Sequence, residues 1–326
     1  PSYAFAAGAS TGVTIGAFQL RGTSEDMSLT ELGLQGSATS SSDFIQVTIW
    51  NGATQVGTAT FTSGSTIATS TLSTPVALPK DTDVTLTIKA NVANVGVGQS
   101  GGAGDLLTVN FSGAKATGNN SGSTIYATGS TNVAGVRLER TFPTVALVSL
   151  GSTGAADGKL IRFSVTANAA GSMGLEQFAF SIASSTGVTV SNILLYAYTD
   201  SGFSTPVSSA ASGQLNATPA TASASTKITT DNVTGGVLQI SAGQTYYFEL
   251  RASVAGVQTG SSITTTLLGD STSAYIRGTA AGLNSARNFV WTPNSTTTTP
   301  TTGVDFTSGY GIPGLPAAGL SQTRNQ

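Results

Sequence analysis

Apolar and polar side chains alternate along most of this chain, and this period of two constrains the fold more than any other feature. Residues 84–89 alternate between aliphatic side chains and threonine or lysine, and residues 45–49 do the same before the turn sequence Asn51-Gly52. Alternation is typical of β-strands with one buried face, and Asn-Gly favours a hairpin turn. The best helical candidate, Ala280 to Arg287, is short and contains a glycine. The sequence therefore predicts an all-β fold.

The chain also contains an internal repeat. Met27–Leu34 matches Met173–Phe180, and Leu78–Ala93 matches Ile240–Ala255, with the apolar positions in the same register. Two copies of one unit with about seven strands each indicate two tandem Ig-like antiparallel β-sandwich domains. The cysteine pair of antibody domains is missing, because the chain has no cysteine, so the prediction concerns architecture only.

The repeat and the composition divide the chain into four segments. Residues 1–16 are predicted to form an extended N-terminal arm, 17–138 the first sandwich and 139–291 the second. Residues 292–326 form a Ser/Thr/Pro-rich tail with an apolar end, and its first part has little to bury. The seam between the sandwiches is expected near residues 136–143, where charged residues are densest.

The composition argues against several classes of function. The 326 residues include no histidine and no cysteine, which removes the commonest general base and the usual zinc ligands. Lysine and arginine number 13 against 15 acidic residues, so no basic surface is expected to attract nucleic acid. No apolar run approaches the ~18 residues that span a bilayer. We expect a protein that is not an enzyme, binds no nucleic acid and has no membrane span.

Two glycine-containing motifs resemble catalytic or nucleotide-binding signatures. Residues 96–101 match G-x-G-x-x-G, but a strand is predicted after them where a dinucleotide site needs a helix. Residues 98–102 match G-x-S-x-G, but a nucleophilic serine needs a base and the chain has no histidine. Both motifs are interpreted as one glycine-rich loop.

Turn residues offer weak candidates for a metal site and for modification. Asp81 and Asp83 lie in a predicted turn and supply the oxygen ligands that calcium prefers, although a solvated turn is the simpler explanation. No other cofactor is expected. Glycosylation sequons in predicted loops or tracts include Asn119, Asn232 and Asn294.

Aromatic side chains on strands are candidates for stacking on sugars. They are Trp50, Tyr196, Tyr198, Tyr246 and Tyr247. Because most belong to alternating strands, packing in a core is the simpler expectation.

Apolar residues outside the predicted sandwiches suggest segments for assembly. Open sheet edges accept extended segments from neighbouring chains. The candidates in the arm are Tyr3, Phe5, Val13 and Ile15. Those in the tail are Phe306, Tyr310, Ile312, Leu315 and Leu320. For the tail, docking on another molecule and packing on its own domain remain equally open.

The repeat, together with the ending Asn294-Ser295-Thr296 and the later segment 309–316, resembles secreted bacterial surface proteins of the S-layer or filament type with tandem Ig-like repeats. The resemblance implies an extracellular or cell-surface location after removal of a signal peptide, and a role in assembly or adhesion. We expect a structural subunit that self-associates into a filament, tube or surface layer by strand or tail exchange, with other copies of itself as partners. The alternative is a monomeric adhesin or carbohydrate-binding module whose partners are surface glycans.

Overall fold

The computed structural model describes residues 3–37, 42–62, 65–129, 131–271, 276–296 and 305–326. The chain divides into unit 1, Pro1–Arg140, and unit 2, Thr141–Gln326, so the division falls inside the predicted seam. Part of the predicted tail, 297–304, lies outside the described residues.

Unit 1 is a sandwich of two four-stranded sheets. In chain order its strands are β1 (Ala4–Ala7), β2 (Val13–Arg21), β3 (Met27–Gly36), β4 (Phe44–Asn51), β5 (Thr54–Ala59), β6 (Ile67–Leu78), β7 (Asp83–Val92), β8 (Leu106–Leu107), β9 (Val109–Gly118), β10 (Thr124–Thr128) and β11 (Val136–Glu139). One sheet has the order β10-β9-β3-β6 and the other β2-β7-β4-β5, while β1, β11 and β8 form a small third sheet.

The core of unit 1 follows directly from the alternation. Inward side chains such as Leu32, Ile49 and Ile88 are fully buried, while their neighbours along each strand face outward. Of the eight strands in the two larger sheets, seven contribute buried residues to this core. β10 contributes none, and all five of its residues are exposed.

Unit 2 is a larger sandwich. Its strands are β12 (Pro143–Val148), β13 (Lys159–Ala167), β14 (Met173–Ser184), β15 (Thr189–Tyr198), β16 (Thr226–Thr229), β17 (Leu238–Ile240), β18 (Thr245–Ala255), β19 (Ser262–Leu267), β20 (Arg277–Gly278), β21 (Phe289–Thr292), β22 (Phe306–Ser308) and β23 (Leu320–Asn325), and its helix is α1 (Ala280–Asn284). A four-stranded sheet, β12-β13-β18-β15, faces an eight-stranded sheet built around β14. Phenylalanines from both sheets meet in the core, with Phe163 and Phe248 stacked at 4.9 Å between ring centroids.

The segments matched by the internal repeat hold the same places in both units. β3 lies between β6 and β9, as β14 lies between β16/β17 and β19. β7 lies between β2 and β4, as β18 lies between β13 and β15. The prediction of an all-β fold built from antiparallel sandwiches is confirmed.

Residues 3–16, the described part of the predicted arm, do not form a separate arm in the structure. β1 pairs in parallel with β11, and β2 pairs with β7 from Val13 onward. Phe5 and Ile15 are buried, and Tyr3 packs edge-to-face on Phe5. These apolar side chains therefore pack within unit 1 itself.

The described part of the tail likewise packs on unit 2. β22 pairs with β21, and β23 pairs with β19. Phe306, Ile312 and Leu315 are buried, whereas Tyr310 and Leu320 are half-buried. Of the two alternatives left open by the sequence, the structure shows packing on the tail's own unit.

Candidate functional site

β10 is an edge strand without cover. It pairs with β9 alone, and within the described residues no backbone hydrogen bond reaches its other side. Ile125 and Tyr126 are 51% and 70% exposed. The strand, Thr-Ile-Tyr-Ala-Thr, contains no charge and no proline, which are the usual devices that keep edges from pairing.

The register shows which backbone groups of β10 are open. The amide of Gly118 donates to the carbonyl of Ser123 at 2.9 Å. Hydrogen-bonded and non-bonded pairs alternate along an antiparallel ladder, so Ile125 and Ala127 also bond to β9. The backbone groups directed away from the sheet are those of Thr124, Tyr126 and Thr128.

In unit 2 the strand equivalent to β10 is covered. β23 flanks β19 as β10 flanks β9. The amide of Asn325 donates to the carbonyl of Ser152 at 2.6 Å, and Asn325 also bridges Thr153. Arg324, which is 3% exposed, donates a hydrogen bond to the Leu150 carbonyl at 3.2 Å. This bond holds the segment 150–153 against β23.

The other two outer strands of unit 2 that border its four-stranded sheet are covered as well. On β12, the amide of Val145 donates to the carbonyl of Pro313 at 2.9 Å, so a tail segment lies along that edge. β15 is bridged along its outer side by the segment 206–220. In unit 1, β2 is interrupted by a bulge between Thr14 and Gly16, which also discourages pairing.

A polar groove of about 260 Å³ lies on the outer face beside β10. Tyr126 forms one wall, and Lys115 and Glu31 form an ion pair at 2.8 Å. The Lys115 ammonium lies 6.0 Å from the Tyr126 ring centroid, and its hydrogen bond to Glu31 raises the pKa of Lys115. The other lining residues are small or hydroxylic: Gly33, Thr69, Ser112, Gly113, Ala114, Ala127 and Thr128.

A smaller apolar cavity of about 100 Å³ lies on the inner side of β10. Its lining includes Leu20 on β2, Leu29 on β3 and Ile125 on β10. The sandwich is therefore incompletely closed where β10 meets β2. No sequence motif marks β10, whose composition is that of an ordinary strand.

The aromatic residues proposed for sugar stacking lie mainly on outer sheet faces. Trp50 carries the Lys89 ammonium at 4.2 Å from its ring centroid, and Tyr196 carries the Arg251 guanidinium at 4.5 Å. The two pairs occupy equivalent positions in their sheets. Trp50 and Tyr196 each lie two residues after the residue that is the cross-strand partner of the lysine or arginine on their ring. The expectation of core packing is wrong for Trp50 and Tyr196, because each ring is covered by a cationic side chain on the outer face of the sheet.

Two of the remaining three tyrosines of that set contact neighbouring side chains. Tyr198 is 5% exposed and accepts a hydrogen bond from Arg251 at 2.7 Å. Tyr247 packs on Phe203, and Tyr246 is half-buried.

The proposed glycosylation residues differ in access. Asn294 is 1% exposed, and its side-chain amide donates to Gln239 at 2.7 Å, so the side chain is buried and hydrogen-bonded in the folded protein. Asn232 is half-buried and donates to the Gln214 carbonyl at 2.8 Å. Asn119 lies in an exposed turn.

One of the two predicted calcium ligands, Asp81 and Asp83, forms an ion pair within the protein. Arg21 pairs with Asp83 at 2.7 Å, and this hydrogen bond lowers the pKa of Asp83. Asp81 lies in an exposed turn with a φ of 57°. Within the described part of the chain, no group of three or more acidic side chains is placed to hold a metal.

No protein-family model and no curated protein matches the sequence. Solved structures similar to the chain include the C-terminal domain of the Streptococcus agalactiae AgI/II polypeptide BspA, with 11% identity, coverage of 79% of this chain and 91% of that one, and a TM-score of 0.21. The C-terminal domain of the Streptococcus pyogenes antigen I/II-family protein AspA follows with 9% identity, 80% and 90% coverage, and a TM-score of 0.20. The collagen adhesin CNA from S. aureus has 9% identity, 82% and 89% coverage, and a TM-score of 0.15. Scores this far below 0.5 carry no argument about function.

Proposed function

We propose that this protein is a non-catalytic structural subunit that associates with a second copy of itself through β10. The observation that carries the proposal is the contrast between the two units. Covering segments lie along β23, β12 and β15 in unit 2, while β10 has neither cover nor charge. Bare edges of this kind accept another strand.

The strand is suited to pairing with itself in antiparallel register. With a two-fold axis at Tyr126, the two Tyr126 residues oppose each other, and Thr124 opposes the partner's Thr128. Threonine and aromatic cross-strand pairs are favourable, and no like charges meet. The four-stranded sheet β10-β9-β3-β6 of one copy then joins the same sheet of the other copy, and the two form one continuous sheet.

A charge-pairing experiment tests both the contact and its register. The double variant Thr124→Lys, Thr128→Lys places lysine opposite lysine twice, and we expect it to weaken self-association about tenfold or more. The matched variant Thr124→Lys, Thr128→Glu places lysine opposite glutamate and is expected to restore association. Sedimentation equilibrium of the full chain gives the dissociation constants. Wild-type protein that stays monomeric at high concentration, or equal behaviour of both variants, would refute the proposal.

The groove beside β10 favours a second candidate function, binding of a surface glycan. One exposed aromatic wall, an ion pair and several hydroxyls are groups that contact sugar rings and their hydroxyls. Tyr126→Ala is expected to weaken glycan binding about tenfold, since it removes the stacking surface. Titration of glycan-array hits against this variant, with Trp50→Phe as the matched aromatic control, gives the measurement. Equal loss in both variants would contradict this site.

The proposed setting is extracellular. Only 9% of the residues are charged, so hydroxyl and amide groups provide much of the polar surface. Among the described residues, no helix has the length and apolar character that a membrane crossing requires. Association with other copies and contact with surface glycans both fit this setting.

A further inference from the structure

Two carboxyl groups of unit 1 meet beside the glycine-rich loop, residues 96–104. Asp43, immediately before β4, is 0% exposed, and its Oδ1 accepts a hydrogen bond from the Gly102 amide at 2.7 Å. Asp105 follows the loop and folds back over it, since a Cβ on Gly102 would collide with the Asp105 carboxyl group. The side chains of Asp43 and Asp105 are therefore within hydrogen-bonding contact of each other.

This contact lacks a donor unless one of the two groups is protonated. Asp43 Oδ2 is buried and receives no N–H or O–H from the described residues. The neighbouring Asp105 carboxyl has only acceptor atoms when it is ionised. Two ionised carboxylates in contact repel each other, whereas one shared proton makes a charge-assisted O–H···O bond between them. The geometry therefore favours one bound proton for the pair.

No ion pair takes the place of this proton in the described part of the chain. None of the ion pairs there includes Asp43 or Asp105, and the Arg137 guanidinium donates to the Gly104 carbonyl at 2.8 Å. Burial raises the pKa of Asp43 to about 6, and the charge of Asp105 adds to the rise against the opposing hydrogen bond from Gly102. The charged side chains on the elements packed around the pair are Lys89 on β7, Arg137 and Glu139 on β11, and Arg140 after β11.

We propose that Asp43 and Asp105 share one proton, that this pair latches the glycine-rich loop to β4, and that loss of the proton releases the loop. β4 is fixed by its neighbours β5 and β7, whereas residues 97–100 of the loop are exposed. Repulsion between two carboxylates therefore moves the loop, whose glycines give its backbone wide conformational freedom. The movement reaches β11, because the Asp105 carbonyl accepts a hydrogen bond from the Leu138 amide at 2.8 Å.

The latch makes unit 1 less stable as the pH rises. The pKa of Asp43 is raised in the folded chain from its ordinary value to about 6, so the folded protein holds a proton that the unfolded chain releases. This contribution to stability is complete below about pH 4 and is lost as the pH rises through about 6. A pKa difference of about 2 changes the unfolding equilibrium constant about 100-fold. Asp83, whose pKa is lowered by its hydrogen bond with Arg21, acts in the opposite sense.

Carboxyl-carbon NMR of the full-length chain, from about pH 3 to about pH 8, tests the shared proton directly. We expect the Asp43 carboxyl to titrate near pH 6. Amide exchange of Gly102, corrected for the intrinsic effect of pH, reports release of the loop and is expected to accelerate at least about tenfold across that titration. Exchange of the Ile88 amide, in the central strand β7, reports unfolding of unit 1 and is expected to accelerate about 100-fold between about pH 4 and about pH 7.

Two variants separate the shared proton from other effects of pH. Asp105→Asn supplies a permanent N–H donor to Asp43, so we expect slower Gly102 exchange than in the wild type at about pH 7 and no acceleration near pH 6. Asp83→Asn removes an exposed carboxylate paired with Arg21 and is expected to keep the wild-type acceleration. The proposal is overturned if Asp43 titrates at its ordinary pKa, if wild-type Gly102 exchange does not change near pH 6, or if Asp105→Asn retains that change. The wild-type measurements decide the question by themselves if Asp105→Asn does not fold.

Discussion

A chain that ends at Ser295 is expected to have an unfolded unit 2. The lost segment contains β22, β23 and three buried apolar side chains, Phe306, Ile312 and Leu315. Burial of each such side chain contributes about 1.5–3 kcal/mol, so together they approach the 5–15 kcal/mol by which a whole domain is typically stable. β19 and β21 also each lose one backbone partner, β23 and β22 respectively, and remain paired, among the described strands, with β14 alone.

Because each unit contains one tryptophan, fluorescence can report the unfolding of unit 2 separately from unit 1. Trp291 is fully buried in unit 2, and Trp50 lies in unit 1. In a Trp50→Phe background, truncation should shift the Trp291 emission to that of a solvated indole. The untruncated Trp50→Phe chain is the control. Retention of buried Trp291 emission after truncation would mean that the tail is dispensable, as a free assembly arm would be.

Replacement of Asp270 by alanine is expected to destabilise unit 2 by about 3–5 kcal/mol, because buried donors left without acceptors carry a large cost. Asp270 is 6% exposed and accepts hydrogen bonds from the amides of Asn288, Phe289 and Gly309 at 2.9, 3.3 and 2.8 Å. It therefore joins the segment before β21 to the segment after β22. Urea unfolding followed by Trp291 fluorescence measures the change in free energy.

Asp200 provides a matched control for the Asp270 experiment. It also accepts from three backbone amides, those of Gly202, Ser204 and Thr205, but it lies on an exposed turn. Because water replaces the lost acceptor there, Asp200→Ala is expected to change the stability only slightly. Equal losses for Asp200→Ala and Asp270→Ala would show that burial does not govern the effect.

Sequence alternation predicted the strands and the internal repeat well, because both depend on spacing along the chain. The inward positions of β7 are an example, with Leu86 and Ile88 both buried as their period of two requires. Whether the N-terminal and C-terminal segments pack on their own units could not be predicted in the same way. Ile15 and Phe306 are apolar in either a free arm or a core, and only long-range pairing decides between the two.

The candidate site was harder to predict for a related reason. β10 has the composition of an ordinary strand, and its lack of cover appears only when its place is compared with that of β23. The acidic residues that the sequence offered as calcium ligands, Asp81 and Asp83, include one that is already paired with Arg21.

In the proposed contact each copy contributes one edge, β10, and this sets the number of partners that the contact can join. A two-fold contact uses this edge on both partners at once, so association through β10 saturates at a closed pair. Its concentration dependence should follow one bimolecular equilibrium, without the lag and critical concentration of nucleated growth. Formation of a filament, tube or layer would require a second, chemically different contact on each copy, and pairs rather than monomers would be its building blocks.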